Sequence, residues 1–213
     1  MKKSIYSITL LDSVVRAVDR AAFESGTTRS GLINKILAEH LGLSTPEIRQ
    51  RSIFDEMARL MMGDNTFLIH SEGRDSLFAV KSSLDYKYNP TIRYSVALYP
   101  EGGEFFGEVR AQLRTQNSSL IRELDVFFSM WQQLEDAYFG VRLSDFGGGR
   151  FVRKLRVPHD ASPELLGKTA ARYIRHLNSG IAAHFELYPD TQASARYVSK
   201  LYGDYINMYK DIV

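Results

Sequence analysis

Apolar positions recur along this chain with two different periods, and the changes between them divide it. Residues 4–10, Ser-Ile-Tyr-Ser-Ile-Thr-Leu, alternate: Tyr6, Ile8 and Leu10 share one face of a strand, and Ile5, Ser7 and Thr9 share the other. From residue 12 the spacing lengthens to that of a helix. Val14, Val18, Ala21 and Ala22 mark the inner face of a helix over 12–25, Arg16 and Arg20 lie opposite, and Gly26 ends it. Asp12 is the expected cap. A second helix, capped by Thr28, carries Leu32, Ile33, Ile36, Leu37 and Leu41 as its buried stripe. Ser44-Thr45-Pro46-Glu47 opens a third over about 46–62, with Ser44 as its cap.

Beyond Gly63 the period becomes two. Thr66–Ser71, Ser76–Leu84, Thr91–Tyr99 and 104–115 read as strands of an antiparallel meander. A long helix over 118–138 follows, and its stripe of Leu120, Leu124, Phe127, Phe128 and Trp131 is expected to pack on the sheet. Phe146-Gly147-Gly148-Gly149-Arg150 lacks a Walker lysine and reads as a turn rather than a phosphate loop. Arg150, Arg153, Lys154 and Arg156 form the densest basic run, on a strand ending at Pro158; alternation prevents them from sharing one face. Two helices, about 163–187 and 190–212, close the chain. The expected fold class is α+β, divided into a module over 1–43, a connector helix over 44–63 and an α+β effector or oligomerisation domain over 64–213.

One short strand and two helices cannot close a core alone, and a lone strand leaves its backbone donors and acceptors unpaired. A second copy laid antiparallel to the first supplies the missing strand and gives a two-stranded ribbon on a four-helix body. Tyr6, Ile8, Leu10, Val14, Val18, Leu32, Ile36 and Leu37 are then the dimer core.

This arrangement resembles the ribbon-helix-helix family, the Arc/MetJ class of DNA-binding proteins. The resemblance covers about residues 3–42, roughly a fifth of the chain. It rests on Ser-Ile-Thr-Leu at 7–10, Asp12, the apolar spacing of Val14, Val18 and Ala22, then Gly26, Thr28-Arg29-Ser30, and Leu32, Ile36 and Leu37. It implies that the ribbon enters the major groove with Ile5, Ser7 and Thr9 toward base edges, and that Thr28, Arg29 and Ser30 grip phosphate at a helix start. Lys2 and Lys3 add phosphate contacts beside the ribbon. Many relatives carry Arg, Lys, Asn or Gln where Ser7 and Thr9 stand, so short hydroxyls here imply modest direct readout.

Composition narrows the rest. Hydrophobic residues are 44% of the 213, enough for a core. There is no cysteine, which excludes disulfides, thiolate metal sites and a thiol nucleophile. Neither a signal peptide nor a membrane-length apolar run is evident, so a cytoplasmic location is expected. The net charge of +2 falls in residues 1–50, with seven Lys/Arg against five Asp/Glu; residues 51–213 carry twenty of each. Charge alone does not suggest nucleic acid. His176 and His184 are too far apart on one helix to share an ion directly, no metal or cofactor is expected, and no Ser-His-Asp arrangement carries a motif. Tyr86, Lys87, Tyr88, Arg93 and Tyr94 interleave rings and cations as single-strand binders do, a composition equally normal on a strand face.

The expected function is that of a homodimeric, sequence-dependent binder of double-stranded DNA, a transcriptional regulator of repressor or activator type and not an enzyme. Higher oligomers on DNA, and an effector or protein partner for residues 64–213, complete the expectation. Two other readings use the same N-terminus: a plasmid partition or mobilisation accessory protein, and a protein-binding adaptor whose N-terminus only dimerises.

Overall fold

The computed structural model describes residues 5–63, 65–69, 77–87, 89–100, 103–158 and 161–208. The chain forms two compact units, residues 1–49 and 50–213. The boundary falls inside the third helix and not at its start.

In the first unit, α1 spans Asp12–Glu24 and α2 spans Arg29–His40. Asp12 is the first helical residue; Leu11 occupies the cap position with no side-chain hydrogen bond, so the expected Asp12 cap is replaced by an acidic group in the first turn. Thr28 caps α2, its Oγ1 accepting from the Gly31 N–H at 3.1 Å. The N-terminal strand expected over 4–10 is not formed. Residues 5–10 belong to no strand or helix and are exposed, and Ser4 lies outside the described residues. The physical reason is the one that called for a second copy: a ladder needs a neighbouring strand, and this unit offers none. α3, Pro46–Met62, begins with Thr45 and not Ser44 as the capping hydroxyl, accepting from the Ile48 N–H at 3.2 Å.

The second unit is an α+β body. Its six strands are β1 Phe67–Ile69, β2 Leu77–Ser83, β3 Thr91–Leu98, β4 Phe105–Arg114, β5 Ser144–Gly147 and β6 Arg150–Arg156. They form one antiparallel sheet in the order β1-β2-β3-β4-β6-β5. The four-strand meander is present, and α4 (Ser118–Phe139) carries the chain across to a hairpin whose second strand joins β4. That hairpin turns at Gly148 and Gly149, both with positive φ. α5 (Pro163–Glu186) and α6 (Thr191–Met208) complete the unit.

Alternation along the strands decides the layers. Val80, Ile92, Tyr94, Val96, Val109, Ala111, Phe151 and Leu155 turn to one face and join Leu124, Phe127, Phe128 and Trp131 of α4, Ile174, Leu177 and Ile181 of α5, and Val198 and Ile206 of α6 in a single core. Phe128 stacks on Phe151 at 5.0 Å, fixing α4 against β6. Ile53, Met57 and Met61 are buried in the same core, so the far part of α3 is a packed element of this unit as well as a connection. Gly180 exists where α5 crosses α4: a Cβ there would stand 2.7 Å from the Trp131 ring. None of the described helices is long and apolar enough to cross a membrane.

Candidate nucleic-acid interface

In the first unit the residues expected to form a dimer core are open to solvent. Tyr6, Ile8 and Leu10 are exposed, as are Val14, Ile36 (48%) and Leu37 (50%); Leu32 is buried and Val18 half-buried. α1 and α2 cross so that Val14, Ala17, Val18, Ala21, Leu32 and Ile36, with Ser13 at one end, line an open groove of about 370 Å³. Isolated exposed apolar residues are ordinary, but an open apolar groove together with exposed Tyr6, Ile8 and Leu10 in so small a unit is not. A unit of this size has too little interior to be stable while half of its apolar side chains stay wet.

The residues expected to touch DNA have distinct settings. Ile5, Ser7 and Thr9 are exposed, while Lys2 and Lys3 lie outside the described residues. At the start of α2 the Thr28 cap consumes the Gly31 N–H and leaves those of Arg29 and Ser30 ahead of it, with no acidic residue in the first turn. The Arg29 guanidinium is paired with Asp19 of α1, both side chains being exposed. Arg29 therefore meets an incoming phosphate only by exchanging one exposed ion pair for another, a change of small free energy.

The remaining chemistry lies in the second unit, where the sequence showed no motif. Glu135 and Arg153 are fully buried and paired at 3.2 Å. Burial pushes the Glu135 carboxyl up, and the Arg153 guanidinium and the Tyr173 hydroxyl, which donates to Oε1 at 2.9 Å, pull against it. Trp131 Nε1–H donates to Tyr173 in turn, and Arg153 lies over the Tyr173 ring at 4.6 Å. Nearby, His184 joins three helices: Nε2 lies 3.0 Å from Glu123 Oε1, and Nδ1 lies 2.6 Å from Ser194 Oγ. A neutral ring donating from Nε2 and accepting the Ser194 hydroxyl proton satisfies all three groups. Burial lowers the His184 pKa against the pull of Glu123. The order of groups resembles a nucleophile relay, but Ser194 is 1% exposed and offers a substrate no surface. This trio holds α4, α5 and α6 together.

Two further features have structural roles. Asp125 accepts from the N–H groups of Gly148 and Gly149 at 2.9 and 2.8 Å, so the glycine turn spends its donors on a carboxylate of the chain itself. Of the interleaved rings and cations at 86–94, Tyr94 is fully buried with its hydroxyl donating to Asn178, Tyr86 packs on Phe185 and Tyr188, and Tyr88 lies outside the described residues. They do not form a stacking platform. Among the described residues, no group of three or more His, Asp or Glu could hold a metal.

Comparison with protein-family models, with curated proteins and with solved structures gave no match.

Proposed function

We propose that the chain is a homodimeric, sequence-dependent DNA-binding protein acting in transcriptional regulation. Residues 5–10 of two copies pair antiparallel, and Ile5, Ser7 and Thr9 face the major groove. The N-termini of the two α2 helices, at Thr28, Arg29 and Ser30, hold the flanking phosphates. Lys2 and Lys3 add charge beside them.

The observation that carries this reading is the wet apolar surface of the first unit. Tyr6, Ile8 and Leu10, at alternate positions of a strand-patterned segment, are exposed, and the α1–α2 groove is open and apolar. A second copy satisfies both at once: the ladder bonds of one chain complete the other's, and Tyr6, Ile8, Leu10, Val14, Val18, Ile36 and Leu37 of each copy leave water. Short hydroxyls on the groove-facing side make base readout modest, so affinity grows with the number of dimers on a site.

Selection of binding sites from random duplex DNA tests the reading. The full chain is expected to enrich a short, two-fold symmetric site. Thr9→Ala changes the enriched bases, and Lys3→Ala weakens all sequences and flattens the salt dependence. An unchanged profile for Thr9→Ala refutes the ribbon. Failure of the wild-type chain to retard bulk duplex DNA at low salt favours instead the adaptor reading, in which the dimer presents the second unit to a protein.

A further inference from the structure

The helices of the second unit cover one face of its sheet; the other face carries most of the cations of the described strands, among small and polar residues. Lys81, Arg93, Arg110, Arg114, Arg150 and Lys154 all stand at outward positions, against Glu108 and Asp145 among the described strand residues. Arg156 is also outward and is paired with Glu104 at 3.2 Å. Glu108 is already engaged: it pairs with Arg110 and accepts from the Tyr99 hydroxyl at 2.6 Å. Burial opposes its ionisation, but Tyr99, Arg110 and Arg150 together hold its pKa below the usual carboxylate range. Residues 51–213 are neutral overall, twenty cations to twenty anions, so this face concentrates one sign that the rest of the unit balances.

Register places the cations in a line. Lys81 pairs with Arg93, Arg93 with Gln112, and Gln112 with Arg150, so one row crosses four strands. At the usual strand spacing it is about 14 Å long. Arg110 and Lys154 lie to one side of the row along the strands and Arg114 to the other. Beyond Lys154, Phe105 takes its ammonium at 5.4 Å, and Tyr99 is partly exposed beside Glu108.

The geometry points to a second binding surface, distinct from the N-terminal ribbon: the open sheet face takes single-stranded nucleic acid. Three features select that partner. The charge is that of a polyanion's complement. A face carrying cations on four adjacent strands, with Phe105 and Tyr99 to one side of them along the strands, suits a splayed strand, whose phosphates meet the cations while bases stack on guanidinium planes and on Phe105 and Tyr99. Duplex DNA, being convex, brings only one phosphate ridge to such a surface.

Fluorescence anisotropy with labelled oligo(dT) and oligo(U) of about 12 nucleotides tests this on the full chain. The expected results are binding by wild type, a loss of at least tenfold in the variant combining Arg114→Glu, Arg150→Glu and Lys154→Glu, and a salt slope reduced by about 2. Gln112→Arg, which completes the row with a cation, is expected to tighten binding severalfold and guards against misfolding of the triple variant. Thr9→Glu, which disables the ribbon, is expected to abolish duplex binding and leave single-strand binding intact. The ratio of the two oligonucleotide affinities tells RNA from DNA. The surface is refuted by absence of single-strand binding in wild type, by equal affinities of wild type and the Gln112→Arg variant, or by loss of single-strand binding in Thr9→Glu. Retention on anionic lipid vesicles with no oligonucleotide binding also refutes it.

Discussion

The two units of this chain solve the problem of burial in opposite ways. Residues 50–208 enclose a complete core and even bury an ion pair, Glu135 with Arg153, inside it. Residues 5–49 leave Val14, Ile36, Leu37 and the apolar face of 5–10 in water. A sheet with helices on one face is self-sufficient because every strand except the edge strands finds both neighbours in its own chain. Two helices preceded by an unpaired segment leave much of their apolar surface uncovered within the unit. The difference teaches that apolar exposure is informative only against the unit's capacity to hide it: the same Leu and Ile pattern is core in one half and solvent-exposed surface in the other.

That contrast is open to direct attack. Arg153→Met leaves Glu135 buried and uncompensated, and is expected to cost about 3–5 kcal/mol in thermal or urea unfolding of the second unit, independent of protein concentration. Pairing it with Glu135→Leu is expected to recover most of the loss. In the first unit, Ile36→Asp is expected to cost about 3 kcal/mol in the assembled form, to abolish the rise of its unfolding midpoint with concentration, and to eliminate duplex binding. If Ile36→Asp is as harmless as a typical surface change, the two halves do not differ in the way described.

Acid sharpens the comparison. Burial among Trp131, Tyr202 and Tyr205 lowers the His176 pKa to about 4, below its ordinary 6.5. Because the folded-state value is depressed, the neutral ring's contribution is fully present above about 6.5 and is lost as pH falls toward 4. Chemical denaturation at pH 7 and pH 4 is expected to show a loss on the order of 2 kcal/mol in the second unit, and His176→Phe is expected to remove most of it. The smallest effect expected is at the α2 cap. Thr28→Ala abandons the Gly31 N–H and costs about 1 kcal/mol, together with a modest, sequence-independent loss of DNA affinity.

Much of the second unit was legible because its periods are clean. The strand that became β3 alternates from Ile92 through Tyr94 to Val96, and α4 repeats Leu120, Leu124, Phe127 and Phe128, so each element is written in its own stretch of chain. β5 was not legible: Ser144-Asp145-Phe146-Gly147 holds a single large apolar residue and depends on β6 for its existence. The split of the basic run was visible as alternation, but not that Arg153 alone would turn inward, since its partner Glu135 lies in a different element. Likewise Ser194, His184 and Glu123 sit on three helices with no short motif joining them. The candidate DNA-contacting residues were legible only through resemblance, because the ribbon they require is a property of two chains. One chain has nothing to pair with at residues 5–10, and in it no strand appears there.

The account therefore turns on whether two copies meet at residues 5–10. The chain has no cysteine, so Ser7→Cys introduces its only thiol, and Ser179→Cys on α5 serves as an exposed control. In an antiparallel ribbon opposing side chains lie within roughly 10 Å, so a short bismaleimide is predicted to convert the Ser7→Cys variant quickly and almost completely into a covalent dimer while the Ser179→Cys variant stays monomeric. Equal and slow cross-linking of the two variants would contradict the account.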